Sequence, residues 1–136
     1  MTPKEFMQNW MEEVWNNGNS RYIYDHMAEH SDIKGLEPCP DTAEKFEELQ
    51  RSLLGGIRNL HISPLHLMES GDRGIGLFKL TGIDNETGIQ VDFNFAVSVT
   101  IENDKIIEAT NVVDFLTFLI QTKDVDPGVM ARKFAG

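Results

Sequence analysis

Two different spacings of apolar residues divide the chain. Before Gly56, apolar residues recur every three or four positions, which is the spacing of helices that each bury one face. After Gly56, apolar and polar residues alternate, which is the spacing of strands that are half buried. Helices followed by a run of strands are typical of an α+β domain, in which the helices pack against one face of an antiparallel sheet.

The first helix is predicted to begin after Thr2, a capping residue followed by proline and, three positions on, by glutamate. Phe6, Trp10 and Val14, with Met7 and Met11 beside them, form its apolar stripe, and the segment 16–18, Asn-Asn-Gly, ends it.

Two further helices are expected before the strands. The second follows Asn19 or Ser20 and ends near Glu29, and the segment 31–40, with one glycine and two prolines, reads as a loop. Asp41 is the expected cap of the third helix, which ends at Gly55 and Gly56.

Four strands are predicted, separated by three short turn sequences: Ile57 to Met68, Gly74 to Thr81, Ile89 to Ile101 and Lys105 to Asp114. The third strand has the clearest alternation, so we expect one of its faces to be core. If this sheet is strongly curved, a cavity remains between it and the helices.

The chain ends in a predicted short helix, Phe115 to Thr122, and a polar, proline-containing tail, residues 123–136, that we expect to be partly mobile. With 136 residues and one such succession of elements, the whole chain, 1–136, is expected to form a single domain.

Charge and composition narrow the range of partners. The formal net charge is -10, from 12 Lys and Arg against 22 Asp and Glu, so we expect neither nucleic acid nor an anionic membrane surface as a partner. The one cysteine, Cys39, cannot form an internal disulfide, and the polar N-terminal segment has no signal-peptide core. These features favour a cytoplasmic protein.

The four histidines are candidate metal ligands or general bases. His26 and His30 fit the H-x-x-E-H pattern of zinc sites, but the predicted helix is short and lacks a further ligand, so we expect no metal. His61 and His66 lie five positions apart on one strand, and strict alternation would point them to opposite faces.

Two carboxylates are candidates for proton transfer, because an apolar cavity raises the pKa of a carboxyl group. Alternation places Asp92 opposite the core face of its strand, on solvent or a dimer surface, and an acid that faces the cavity is the alternative. Asp114 is either an acid at the cavity mouth or the cap of the helix that begins at Phe115.

Several short motifs resemble the SnoaL-like polyketide cyclases, a branch of the NTF2-like superfamily. The order of elements matches over nearly the whole chain. The residues that carry the resemblance are Trp15-Asn16-Asn17-Gly18-Asn19, Glu69 to Arg73, Asp104 to Glu108, and Asp114 with Leu116, Leu119 and Gln121. The chain departs from the family at 82–84, where many relatives carry a histidine, and at Thr110, where many carry a tryptophan.

This resemblance implies an NTF2-like cone: three N-terminal helices on a curved antiparallel sheet of about four strands, with a short C-terminal helix. It also implies a homodimer formed through the outer face of the sheet. The implied activity is acid–base chemistry on a small hydrophobic carbonyl compound, as in a polyketide cyclase or ketosteroid isomerase, with no cofactor. A non-catalytic ligand-binding or dimerisation module is the alternative, and a hydrolase using an activated water is a third.

The candidate site follows from these arguments. Asp114 is the expected catalytic residue because it matches the aspartate of the family. The residues expected to contact a small hydrophobic molecule are Trp15, Tyr24, Phe78, Phe93 and Asn111.

Overall fold

A computed structural model describes all residues, 1–136, as a layer of helices over one five-stranded sheet. The α+β class and the curved sheet covered by N-terminal helices are confirmed. The helices are α1 Pro3–Trp10, α2 Ser20–His26, α3 Ala43–Gly56, α4 Phe115–Gln121 and α5 Val129–Phe134. The strands are β1 Met27–Lys34, β2 Ile57–Ser70, β3 Arg73–Asp84, β4 Gln90–Glu102 and β5 Lys105–Val113.

The first helix begins as predicted and then changes its winding. The Thr2 hydroxyl accepts a hydrogen bond from the Glu5 N–H, which caps α1. From Met11 to Asn16 the chain continues as a π-helix. In a straight α-helix Trp15 would lie about 140° around the axis from Trp10. The wider π turn brings both indoles onto the buried side of the helix. The apolar spacing of the sequence did not predict this change of winding.

Asn16 anchors the end of this helix to the edge of the sheet. Its side-chain amide donates to the Ile62 carbonyl at 2.9 Å, and its side-chain oxygen accepts from the Ile62 N–H at 2.7 Å. The amide therefore pairs with β2 as a neighbouring strand would. This contact is a structural role for the turn sequence that carries part of the family resemblance.

The sheet has the order β1-β5-β4-β3-β2, and its last four strands are joined by hairpins. All four predicted strands and their three turns are confirmed within a few residues. On β4, the predicted core face is buried along its whole length, at Val91, Phe93, Phe95, Val97, Val99 and Ile101.

The fifth strand, β1, is a correction to the predicted count of four. Residues 27–34 were expected to be a helix end and a loop, but they form an edge strand parallel to β5. Only Met27, Ser31 and Ile33 of this strand are buried, so it lacks the regular apolar alternation that identified the others. Its pairing with a strand about 75 residues later also leaves no local signal, since the register joins Asp32 to Glu108.

The expectation that His61 and His66 face opposite sides of the sheet was wrong. His61 pairs with Thr81 and His66 with Leu77, two positions that share the outer face of β3. The register shifts between Pro64 and His66, and this irregularity adds one residue to β2. Both histidines therefore point outward.

The third helix, α3, is capped by Thr42 rather than by Asp41, as the Thr42 hydroxyl accepts from the Lys45 N–H. Asp41 instead forms an ion pair with Lys45 at 3.1 Å. Helix α3 also buries Gln50, whose amide donates to the Val14 carbonyl and accepts from the Ser20 hydroxyl, each at 2.8 Å. Gln50 thereby joins α3 to the two preceding helices.

The C-terminal part packs across the end of β4. Helix α4 matches the predicted closing helix, and its Gln121 side chain exchanges two hydrogen bonds with the backbone of Asp92. In the tail, residues 129–134 form the short helix α5, which was not predicted. No helix of the chain combines the length and the apolar composition that a membrane span requires.

Candidate functional site

A cavity of about 90 Å³ lies between the helices and the concave face of the sheet. Of the 22 residues that line it, 21 are hydrophobic, and the remaining one is Asn111. Its walls come from α1 and the π-helix, from α3, and from the inward rows of all five strands. No ionisable side chain lines it.

The aromatic side chains of the helices form one wall. Trp10 lies edge-on to Phe46, with ring centroids 5.2 Å apart, and is stacked 6.1 Å from Phe6. Trp15 contacts the same Phe46 ring from 6.0 Å. Both tryptophans of the chain therefore border the cavity.

The cavity opens where its lining residues become partly exposed. Those residues are Leu36 after β1, Leu49 and Leu53 on α3, Asn111 and Val113 at the end of β5, and Phe115 at the start of α4. Phe115 is 47% exposed although it lines the cavity, which places it at the rim. The mouth is thus framed by α3, the 35–36 segment and the β5–α4 junction.

Asn111 is held in place by the neighbouring strand. Its side-chain NH₂ donates to the Lys34 carbonyl at 3.2 Å. Gly35, with φ of +87°, lies so close to the Asn111 backbone that an added Cβ would collide with the Asn111 carbonyl oxygen. Only glycine allows this approach of the two chains.

Three of the five expected contact residues lie at the cavity. Trp15, Phe93 and Asn111 line it. Phe93 is also stacked on Phe118 of α4, with ring centroids 5.1 Å apart.

Tyr24 and Phe78, the other two expected contact residues, do not line the cavity. Tyr24 is 45% exposed on α2 and its hydroxyl donates to Glu47 at 3.0 Å, a hydrogen bond that raises the pKa of the tyrosine. Phe78 is fully buried and stacked against Phe95 at 5.3 Å. It fills the core beside the cavity rather than facing it.

Asp114 caps α4 on the exposed surface and lies outside the cavity lining. Its carboxylate accepts from the Thr117 hydroxyl at 2.5 Å and from the Thr117 N–H at 3.0 Å. These two hydrogen bonds hold the pKa of Asp114 below its ordinary value. Of the two interpretations considered from the sequence, the geometry favours the helix cap.

The other candidate acids and ligands also lie away from the cavity. Asp92 faces outward, as the alternation indicated, and pairs with Lys79 at 3.3 Å. His26 ends α2 whereas His30 lies on β1, so the two are not one helical turn apart. No group of three or more His, Cys, Asp or Glu side chains is placed to hold a metal ion.

Some of the cavity lining could not be recognised in the sequence. Met27 and Ile33 line the cavity from β1, a strand that the apolar pattern did not reveal, and Leu36 lines it from the following segment. Met11 was expected on the buried stripe of the first helix, and the π-helix places it at the cavity.

Solved structures with the same fold confirm the NTF2-like cone. A candidate polyketide cyclase from Bacillus cereus has a TM-score of 0.78 and 20% identity, over 87% of this chain and 78% of that chain. A candidate SnoaL-like polyketide cyclase from Jannaschia sp. has a TM-score of 0.76 and 17% identity, over 89% of this chain and 91% of that chain.

A third solved structure is a hypothetical protein from Catenulispora acidiphila with a ketosteroid isomerase-like fold, in complex with trimethylamine. Its TM-score is 0.78 at 16% identity, over 93% of this chain and 100% of that chain. No family model and no curated protein matches the chain. The resemblance read from the sequence is therefore confirmed at the level of the fold, which does not by itself assign a reaction.

The cap role of Asp114 predicts how stability responds to substitution. Asp114→Ala should lower the free energy of unfolding by about 1 kcal/mol, because the first turn of α4 loses its hydrogen-bond acceptor. Asp114→Asn keeps an acceptor oxygen and should lose much less. Urea unfolding at neutral pH measures both variants, and an alanine variant as stable as the wild type would contradict the cap.

The contribution of Asp114 to the free energy of unfolding should decrease as the pH falls. Since the pKa of Asp114 is lower in the folded state, its carboxylate stabilises the fold fully above about pH 4 and progressively less as the pH falls through the folded-state pKa. The stability difference between the wild type and Asp114→Asn should therefore shrink on acidification. A difference that stays constant in acid would show that the charge is not responsible.

Proposed function

We propose that this protein is a non-catalytic binding protein for one small apolar molecule, which it holds in the cavity beneath the helices. The observation that supports the proposal is the lining itself, 21 hydrophobic side chains and one amide. Binding in such a cavity is driven by removing apolar surface from water, and it requires no charged group.

The volume of the cavity limits the size of the ligand. Pockets for drug-sized ligands span about 300–1,000 Å³, whereas this cavity encloses about 90 Å³. An apolar cavity of about 150 Å³ is known to bind benzene. The cavity opens at its mouth and is lined by three flexible methionines, Met7, Met11 and Met27, so we take a single six-membered ring as the upper size.

Acid–base catalysis is the competing function, and the names of the cyclase-like solved structures favour it. A general acid or base must come within hydrogen-bond reach of the proton it transfers. The carboxylate that best fits the resemblance, Asp114, is exposed, hydrogen-bonded to Thr117 and outside the cavity lining. A polycyclic substrate would also exceed the cavity volume. These two points support binding over catalysis.

Toluene should stabilise the folded protein, because only the folded state offers the cavity. A ligand at about 100 times its Kd raises the free energy of unfolding by about 2.7 kcal/mol. Thermal melts at increasing toluene concentration measure this effect. Ala109→Leu should abolish it, since Ala109 is buried in the cavity lining and a larger side chain there occupies the space.

Ala131→Leu is the matched control. Ala131 is exposed on α5, so the same substitution there should leave the effect of toluene unchanged. Equal toluene effects in the wild type and Ala109→Leu would contradict the proposal. So would the absence of any effect in the wild type up to saturating toluene.

We further propose that two copies of the chain associate through the outer face of the sheet. Apolar side chains of neighbouring strands lie together there: the exposed Met68 is paired with the exposed Ile75, and the half-buried Leu77 and Ala96 form an adjacent row with the exposed Val112. Val112 is 68% exposed. Contiguous apolar surface on a sheet face is typical of a protein–protein interface.

Val112→Lys should convert the dimer into a monomer, because a symmetric interface would bury two added charges close together. Light scattering at micromolar concentration measures the mass. Phe134→Lys is the control, since Phe134 is 78% exposed on α5 and lies off the sheet, and it should leave the mass unchanged. A monomeric wild type would refute the proposed dimer.

A further inference from the structure

One polar side chain, Asn111, interrupts the apolar lining of the cavity. It lies on β5 between Ala109 and Val113, two residues that face the same side of the sheet and also line the cavity. Asn111 is only partly buried because it stands near the mouth. A ligand whose apolar part fills the cavity would reach this amide with its outer end.

The orientation of the amide is fixed by the neighbouring strand. The partner of its NH₂ is the Lys34 carbonyl, which can only accept a hydrogen bond. The other terminal atom of the amide, the oxygen Oδ1, therefore points away from the Lys34 carbonyl. No side chain or backbone group of the protein donates a hydrogen bond to it.

The segment that carries the Lys34 carbonyl is itself held against β5. Lys34 pairs with Thr110, and the next residue, Gly35, is packed directly on the Asn111 backbone. The amide cannot turn over without losing its bond to Lys34. Its free acceptor is therefore preorganised, which reduces the entropic cost of a hydrogen bond to a ligand.

We infer that the cavity selects a small apolar molecule that carries one hydrogen-bond donor, a hydroxyl or an N–H group, which donates to Asn111 Oδ1. This inference rests on the proposed binding function and specifies its ligand. The ring occupies the apolar cavity, and the donor lies at the mouth beside Asn111. A ligand without a donor would cover Oδ1 and leave it without a partner, which is unfavourable.

Phenol and toluene form a suitable pair of probes because they differ by a hydroxyl in place of a methyl group. Both tryptophans of the chain, Trp10 and Trp15, line the cavity, so their fluorescence reports binding directly. Excitation at the red edge of the indole band avoids absorption by phenol. We expect phenol to bind about tenfold more tightly than toluene, the size of one hydrogen bond.

Asn111→Leu should remove this preference by weakening phenol binding while keeping or improving toluene binding. The control is Asn94→Leu, which makes the same change on the outer side of β4, where the residue is exposed. This control should keep the preference of the wild type. A preference for phenol that survives Asn111→Leu would overturn the inference.

A third probe makes the test independent of whether the variant folds. Fluorobenzene has a polar bond but no donor, and we expect the wild type to bind it as weakly as it binds toluene. If the wild type binds all three probes equally, the inference fails while the proposed binding function stands. If none of the three binds, the proposed function itself fails, and the inference with it.

Discussion

The apolar concave face of the sheet is the constraint on which the rest of this structure depends. Strand β4 alone contributes six buried side chains in one row, and burying such a row is the main favourable contribution to folding. The helices above must cover this face, and they do so mainly with aromatic side chains. Trp10, Trp15 and Phe46 are large and rigid, so they span the gap without filling it completely. The cavity is the space that remains.

Several polar contacts hold the helices at this distance from the sheet. Asn16 pairs with the backbone of Ile62 at one edge, and Gln121 pairs with the backbone of Asp92 at the other side. The buried Gln50 joins α3 to the first helix. Each amide satisfies backbone groups that would otherwise lack partners, so the layer cannot collapse onto the sheet without breaking hydrogen bonds.

The distribution of charge follows from the same constraint. Burying an unpaired charge in an apolar cavity is costly, and the ionisable side chains of this chain lie outside it. Asp92 pairs with Lys79 on the outer face, and Asp114 caps α4. Members of one fold can therefore differ in function according to whether a titratable group enters the cavity.

The sequence predicted the parts of the fold that depend on local patterns. The alternation in β4, the hairpin turns and the Gly55-Gly56 helix stop were all recognised from neighbouring residues. Strand β1 was missed because it is largely polar and pairs with a distant segment, and the irregularity near Leu65 misplaced His66 relative to His61. These features depend on contacts between residues far apart in the sequence, which the local spacing of apolar residues does not indicate.

The candidate site was predicted in part for similar reasons. Trp15, Phe93 and Asn111 were expected to contact a ligand, and all three line the cavity. The position of Tyr24 outside the cavity was not predicted, because the buried face of a short helix cannot be assigned without knowing its packing. The position of Phe78 in the core beside the cavity was not predicted, because alternation distinguishes the inner face of a strand from its outer face but not the cavity from the solid core.

The proposed binding function requires a dry, preformed apolar cavity beneath the helices. A crystal structure determined under xenon pressure tests it directly, because xenon enters empty apolar cavities and scatters strongly. We expect a xenon atom between Trp10, Trp15 and Phe93, with the surrounding side chains unmoved. Ordered water hydrogen-bonded inside the cavity, or a lining collapsed so that no xenon binds, would contradict it.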